Sequence, residues 1–206
     1  MCGYSYSMSK KSFLFVDGTN LYSAQFALFG TKNYLDFSCF IERVEKTLHT
    51  TFSQIKFYAS YSPQNENLTK QDKLYLKSEA LFYKSAKQLS QLQFFTGYRS
   101  KTSGKEKEVD VKLAVDIVDY CYQNKFDNLY FCSGDADFNH ALQIVKRFGK
   151  PIHLIELETR IPMRLSNYYP TSIFTFHSYK DKKYLITTQQ KIIFIPIEDQ
   201  EVVKKL

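Results

Sequence analysis

Residues 129–138 read LYFCSGDADF, and this stretch decides the fold predicted for the chain. The four apolar residues at its start predict a short, fully buried strand of a parallel sheet. Ligands of such sheets bind beyond the carboxyl ends of the strands, which is where Asp135 and Asp137 stand. Because two carboxylates two residues apart repel each other, a bound divalent cation would make the pair tolerable. The alternative is that these side chains only cap the following helix.

The segment 108–121 predicts a helix with one apolar stripe and several acidic residues. Asp110 stands three and four residues before two members of the stripe, which predicts that it lies on the buried face of the first turn. There it could cap the helix or project over the sheet edge towards Asp135. Asp116 lies roughly 120° from the centre of the stripe, so it is interpreted as a charge at the flank rather than a ligand.

Residues 13–20, FLFVDGTN, repeat the pattern of a four-residue apolar strand that ends in an acid, here Asp17. Gly18 permits a tight turn. Asn20 either caps the next helix or orients Asp17 through a hydrogen bond. Because parallel strands present the same ends together, Asp17 and Asp135 are expected at one edge of the sheet.

Three motifs occur in this order along the chain: Asp17-Gly18-x-Asn20, Lys107-x-Val109-Asp110-Val111-x-Leu113-Ala114-x-Asp116, and Ser133-Gly134-Asp135-x-Asp137-Phe138. Together they resemble the NYN domain of the LabA-like group, within the PIN-like superfamily of metal-dependent ribonucleases, over residues 11–177. The resemblance implies a Mg²⁺ or Mn²⁺ site made by Asp17, Asp110, Asp135 and Asp137, supported by Asn20 and Ser133. Asp116 matches the family pattern without being implied as a ligand. Glu108 is a departure, because many relatives carry Gly there.

The function that follows is hydrolysis of RNA by a metal-dependent ribonuclease. The RNA backbone would be held by four basic residues of the loop 99–107, namely Arg99, Lys101, Lys105 and Lys107. The alternative interpretation is that these four residues belong to an ordinary solvated loop and hold no RNA. Two other functions stay open: an RNA- or protein-binding NYN module without turnover, and a haloacid-dehalogenase-like phosphatase. The phosphatase is disfavoured because its chemistry requires a second acid where Thr19 stands.

The composition is that of a globular protein, and its net charge favours an anionic partner. The chain has 206 residues, 44% of them hydrophobic, and a net charge of +7, which favours nucleic acid as that partner. Its four cysteines form no CxxC pair, which favours reduced thiols and a cytoplasmic location. No apolar run is long enough to span a membrane. Both Met1 and Met8 stay open as the start of the chain.

The predicted architecture is a three-layer parallel sheet with helices on both faces. Strands are predicted at 12–16, 55–61, 93–96, 129–132 and 152–157, with a short edge strand at 173–176. Helices are predicted at 20–29, 36–49, 69–89, 110–121 and 138–148, with a short one at 162–168. Residues 1–10 form a polar tail and residues 11–177 the NYN domain. Within the extension 178–206, two strands at 184–187 and 191–197 would form a hairpin on the sheet or an arm for a homo-oligomer.

Overall fold

The computed structural model describes residues 10–63, 67–99, 106–157, 173–177, 191–194 and 201–206, and at 98–99, 106–107, 173–177 and 191–194 it describes the backbone only. The strands are β1 (Ser12–Asp17), β2 (Asn33–Leu35), β3 (Phe52–Ala59), β4 (Leu92–Thr96), β5 (Tyr98–Arg99), β6 (Glu106–Lys107), β7 (Asn128–Cys132), β8 (Ile152–Leu157), β9 (Ile173–His177), β10 (Lys191–Phe194) and β11 (Val203–Lys205). The helices are α1 (Gly18–Phe29), α2 (Phe37–Leu48), α3 (Lys70–Ala86), α4 (Val109–Tyr122) and α5 (Asn139–Arg147), with a 3-10 turn at Ala136–Phe138.

The main sheet is parallel throughout its described strands. Seven strands within the described residues pair in the order β10-β9-β8-β7-β1-β3-β4. From β1 the chain moves outward to β3 and β4, then crosses back to β7 and moves outward on the other side. The neighbours β1 and β7 therefore form the switch point of the sheet, where ligands of open α/β folds bind.

Alternation along the central strand separates two hydrophobic cores. Leu14 and Val16 of β1 pack into the core that includes residues of α1, α2 and α3. Phe13 and Phe15 pack into the core that includes residues of α4 and α5. Side chains of a strand point alternately to the two faces, so apolar residues at every position require cover on both sides. The predicted three-layer α/β architecture is confirmed.

Helix ends follow local sequence signals. Asp36 caps α2 by accepting hydrogen bonds from the backbone N–H groups of Ser38 and Cys39. Thr69 begins α3 with a capping box closed by Asp72. Gly30 ends α1 with φ +73°, a conformation that glycine adopts without a Cβ penalty.

Several predictions of secondary structure need correction. The strand predicted at the edge, β9, lies inside the sheet because β10 pairs with it in parallel. The predicted loop 99–107 begins and ends in the antiparallel pair of β5 with β6. β2 and β11 form a further antiparallel pair that the prediction missed, because three-residue strands carry almost no periodicity.

Part of the predicted C-terminal extension lies outside the described residues. The strand 184–187, and with it the hairpin, stays a prediction, as does the short helix at 162–168. The described part of the extension contributes β10 to the main sheet and β11 to the pair with β2. Among the described helices, none has the length and apolar character needed to cross a membrane.

Candidate active site

Asp17 is the last residue of β1 and lies at the centre of the candidate site. Its side chain is 4% exposed. One oxygen, Oδ1, accepts a hydrogen bond from the backbone N–H of Asn20 at 2.9 Å, which caps α1. The other, Oδ2, accepts one from the Ser133 hydroxyl at 3.0 Å. Both oxygens are therefore held in place, and the helix cap is Asp17 rather than Asn20.

The loop after β7 is joined to the junction of β1 with α1 by side-chain hydrogen bonds. The Ser133 oxygen donates to Asp17 and accepts from the backbone N–H of Asp135 at 3.1 Å. The side-chain oxygen of Asn20 accepts from the backbone N–H of Gly134 at 3.4 Å. Asn20 thus orients the loop after β7, and Ser133 orients Asp17. The structure brings these four residues together although 116 positions separate Asp17 from Ser133.

Asp135 also has a local structural role. Its Oδ1 accepts a hydrogen bond from the backbone N–H of Asp137 at 3.0 Å and begins the 3-10 turn. The alternative interpretation, in which these acids have a capping role, is therefore correct for this one oxygen of Asp135. The side chain of Asp137 is exposed beside it. The position before α5, Phe138, makes no side-chain cap, so neither aspartate caps that helix directly.

Asp110 lies in the first turn of α4 and its side chain is exposed. The prediction that it lies on the buried face is wrong: Val109 and Leu113 occupy that face instead. The helix returns from the end of β4 towards the start of β7, so its first turn lies at the sheet edge where Asp17 also stands. The contact of Asp110 with the other acids stays a prediction.

Glu108, the departure from the family pattern, has φ +77° immediately before α4. This is the left-handed conformation, which costs an ordinary residue about 1–2 kcal/mol and glycine almost nothing. A backbone of this shape explains why glycine suits the position in relatives. The loop keeps this path although glutamate replaces the glycine.

Asp116 is engaged by neighbouring side chains on the flank of α4. Its Oδ2 accepts a hydrogen bond from the Tyr58 hydroxyl at 2.6 Å, and its Oδ1 forms an ion pair with Lys112. Tyr58 is the partner of Asp17 in the pairing of β1 with β3. Burial, followed by the hydrogen bond and the charge of Asp116, raises the pKa of the Tyr58 hydroxyl far above its usual value. Asp116 therefore anchors α4 to the sheet beside the site.

Glu156 is a site residue that the sequence interpretation missed. It is the penultimate residue of β8, 8% exposed, and lines a small pocket together with Asn20, Ser133 and Gly134. Burial raises the pKa of the neighbouring Cys132 thiol, and the charges of Asp17 and Glu156 raise it further. The thiol is therefore protonated and unsuited to nucleophilic chemistry. The sequence did carry a signal for Glu156, because this residue is an acid near the end of an apolar strand, as Asp17 is.

Other predicted residues are placed only in part. Lys101 and Lys105 lie outside the described residues, and the backbone of Arg99 and Lys107 lies in the β5–β6 pair. Among the described side chains, no group of three or more His, Cys, Asp or Glu residues is arranged to hold a metal ion. The described site is the hydrogen-bonded set of Asp17, Asn20, Ser133 and Asp135.

These features define a class: a three-layer α/β protein with buried and exposed acids at the switch point of a parallel sheet. A family model described as NYN domain matches residues 11–175. The chain therefore belongs to the NYN domain family, which is part of the PIN-like ribonuclease superfamily. Proteins of this family are generally nucleases, and PIN-like nucleases typically use divalent metals. Membership of the LabA-like group stays a prediction.

Comparisons with individual proteins add a likeness of fold. No curated protein matches the chain. Among solved structures, the chain is similar to VPA0982, a protein of unknown function from Vibrio parahaemolyticus, with 15% sequence identity and a TM-score of 0.53. The similarity covers 94% of this chain and 96% of that one. At this identity the likeness supports the fold and no function.

Proposed function

We propose that this protein is a metal-dependent ribonuclease that hydrolyses phosphodiester bonds of RNA at the carboxyl edge of its sheet. The observation that carries the proposal is the hydrogen-bonded connection of Asp17 through Ser133 to Asp135. It holds the carboxylate of Asp17 and the backbone of Asp135, two residues of the family motifs, at the switch point between β1 and β7, where substrates of open α/β sheets bind. The family supports a nuclease-type activity in general.

The donor set fits a hard divalent cation in its chemistry. Carboxylate oxygens are the protein ligands that Mg²⁺ and Mn²⁺ prefer. Both oxygens of Asp17 accept hydrogen bonds, which orient the carboxylate. The residues proposed to hold the ion are Asp17, Asp110, Asp135 and Asp137. When bound, the ion would offset negative charge on the scissile phosphate and supply Lewis acidity.

The remaining residues prepare the site without touching the substrate. Ser133 and the backbone of Asn20 hold the carboxylate of Asp17, and the Asn20 side chain holds the backbone of Gly134. Such supporting hydrogen bonds keep ligands oriented, and their loss typically costs 10–100-fold in metal affinity or activity. Ser133 is therefore proposed as a positioning residue.

RNA is the proposed partner, held by Arg99, Lys101, Lys105 and Lys107. Four basic residues within nine positions would offset the repulsion between the acidic site and a polyanionic substrate. The net charge of +7 agrees with this partner. We place the protein in the cytoplasm because its cysteines, of which Cys39, Cys121 and Cys132 are described as free thiols, suit a reducing compartment.

The deciding experiment measures cleavage of end-labelled RNA with Mg²⁺, with Mn²⁺ and with EDTA. Asp17→Asn and Asp135→Asn should each lower the rate by at least about 100-fold, since ligand loss should exceed the loss of a supporting bond. Glu42→Gln, an exposed change on α2, is the matched control and should cleave as the wild type does. Asp135→Asn should melt at or above the wild-type temperature without metal, because Asn keeps an oxygen for the cap and removes one charge.

Two other outcomes would refute the proposal. Retarded migration of RNA without cleavage under all metal conditions would identify a binding module that lacks turnover. Release of phosphate from small phosphate esters, with RNA left intact, would identify a phosphatase.

A further inference from the structure

An exposed apolar stripe runs along the outer face of α4. Its members are Val111, Val115, Val118 and Tyr122, which we call the α4 stripe. Val118 is half-buried, because it also packs against the core that includes residues of α5. Val111 is 68% exposed, Val115 56% and Tyr122 74%. The ring of Phe148, at the end of α5, extends the stripe by packing edge-on against Tyr122 with 6.4 Å between ring centroids.

Apart from Val118, the α4 stripe is separate from the face that holds the helix on the sheet. The buried residues of α4 are Val109, Leu113, Ile117 and Cys121, on the opposite side of the helix. A surface helix of a globular protein normally carries polar residues on the side away from the core. A contiguous apolar patch in their place marks an interaction surface.

We propose that the α4 stripe is a homodimer interface in which α4 packs antiparallel against α4 of a second copy. The spacing of the stripe, 111, 115, 118 and 122, is the same when read from either end. A twofold axis through its midpoint, between Asp116 and Ile117, pairs Val111 with Tyr122 of the other copy and Val115 with Val118. A self-complementary patch of this kind is what a twofold interface requires.

Charges beside the stripe fit the same arrangement. Lys112 and Asp119 are both exposed and lie on one flank of the stripe, two turns apart. In an antiparallel pair each flank meets the same flank of the other copy running in the opposite direction. Lys112, which also pairs with Asp116 of its own chain, then lies across from Asp119 of the second copy, and such flanking pairs set partner and orientation in packed helices.

The area of the α4 stripe sets the expected affinity of the dimer. One helix face with Phe148 is smaller than the roughly 800 Å² that each partner contributes to a standard stable interface. We therefore expect a reversible dimer with a dissociation constant of about 1–100 μM. The interface does not include the acids of the proposed ribonuclease site, so it is tested without RNA or metal.

The experiment is sedimentation velocity of the full chain from about 1 to 200 μM, a range set by the expected affinity. The wild type should shift from monomer to dimer with concentration. Val115→Lys should raise the dissociation constant by at least about tenfold, because it buries a charge in the apolar centre. Ala80→Lys, an exposed position on α3 at the other face of the sheet, adds the same charge and should dimerise as the wild type does.

A pair of charge reversals tests the antiparallel orientation of the two helices. Recovery of the dimer in the double variant would also show that the single variant had not simply misfolded. Asp119→Lys should weaken the dimer, and the double variant Lys112→Glu with Asp119→Lys should restore it. Thermal melting checks that each variant is folded. A wild type that stays monomeric over the whole range, or a dimer that Val115→Lys and Asp119→Lys both leave at wild-type affinity, would overturn the proposal.

Discussion

Asp17 combines a structural and a chemical role in one side chain. It ends β1, caps α1 through the backbone N–H of Asn20, and accepts a hydrogen bond from Ser133. A buried carboxylate is costly unless hydrogen bonds or charges compensate for its lost hydration. Because donors from the first turn of α1 and from the loop after β7 provide this compensation, the position of Asp17 depends on both segments at once.

Ser133→Ala tests the connection between the loop after β7 and the junction of β1 with α1. The change removes the donor to Asp17 and the acceptor for the backbone N–H of Asp135, and Ser133 is 3% exposed. Leaving buried polar groups unsatisfied should lower the free energy of unfolding by about 1–3 kcal/mol in urea titrations. Ser23→Ala, whose hydroxyl bonds its own helix at Thr19, is the control and should cost far less. Equal losses in the two variants would argue against a special role for Ser133.

Tyr58 predicts a pH dependence of stability. Its hydroxyl pKa is raised by burial and by Asp116, so the folded chain keeps a proton that the unfolded chain loses near pH 10. The free energy of unfolding should therefore fall as the pH rises through 10, by up to about 1.4 kcal/mol per pH unit from this group. Urea titrations of Tyr58→Phe should show a correspondingly shallower alkaline decline.

The control for this measurement is Tyr122→Phe, at a ring that is 74% exposed. Its alkaline decline should match that of the wild type. If Tyr58→Phe also follows the wild type, then Tyr58 ionises in the folded state as readily as in the unfolded chain.

At the scale of elements, the junction of β1 with α1 depends on the absence of a side chain at Gly18. The sequence suggested that Gly18 permits a tight turn, but its φ is not positive. A Cβ at this position would lie 2.1 Å from Cε1 of Phe57 and 3.0 Å from Cβ of Ala59. Gly18 is therefore needed because α1 approaches β3 closely beside Asp17.

Gly18→Ala should destabilise the protein through this overlap. Overpacking of a well-packed core typically costs about 1–3 kcal/mol, measured by urea or thermal unfolding. Gly30→Ala is the contrasting variant: its Cβ would meet open space, and only its φ of +73° opposes the change. Gly30→Ala should cost about 1 kcal/mol. A larger loss at Gly30 than at Gly18 would contradict the close-approach explanation.

The residue before α4 gives a second test at this scale. Glu108→Gly should leave the protein at least as stable as the wild type, because φ +77° suits glycine. Glu108→Val should destabilise it by about 1–2 kcal/mol, because a branched side chain tolerates this conformation poorly. Thermal melting compares the three proteins. Equal stability of the glycine and valine variants would mean that the backbone here is not left-handed.

At the scale of the whole molecule, the topology separates two surfaces with different properties. The carboxyl edge gathers Asp17, Asp135 and the start of α4, whereas the outer face of α4 carries the α4 stripe. Both depend on α4, whose first turn lies at the edge and whose length forms the stripe. A dimer through α4 would therefore position the two proposed ribonuclease sites relative to each other.

The basic residues predict how salt affects RNA binding by the whole chain. Lys105→Ala with Lys107→Ala should weaken binding and flatten the slope of log affinity against log salt by about 1.4, which is two contacts at about 0.7 each for single strands. Binding in Ca²⁺ at several salt concentrations measures the slope. The effect should be similar for different RNA sequences, because phosphate contacts carry no sequence information.

The matched control changes two exposed lysines at the start of α3, Lys70→Ala with Lys73→Ala. This pair should leave the slope unchanged. A change that follows Lys70 and Lys73 instead would place the RNA path along α3 and return the loop lysines to an ordinary solvated role.

The sequence by itself determined the longer elements and the edge at which Asp17 and Asp135 stand. Apolar runs at 13–16 and 129–132 are local signals, and parallel strands bring their ends to one edge. The family followed from motifs that are also local. Helix ends at Asp36, Thr69 and Gly30 needed only neighbouring residues.

Tertiary structure alone decided which side chains meet. The bond from Ser133 to Asp17 spans 116 positions, and the pairing of β11 with β2 joins the end of the chain to its beginning. Glu156 lies in the same pocket as Asn20 because β8 pairs with β7. Periodicity reports which face a residue occupies within its own element, whereas these contacts depend on the order in which distant elements pack.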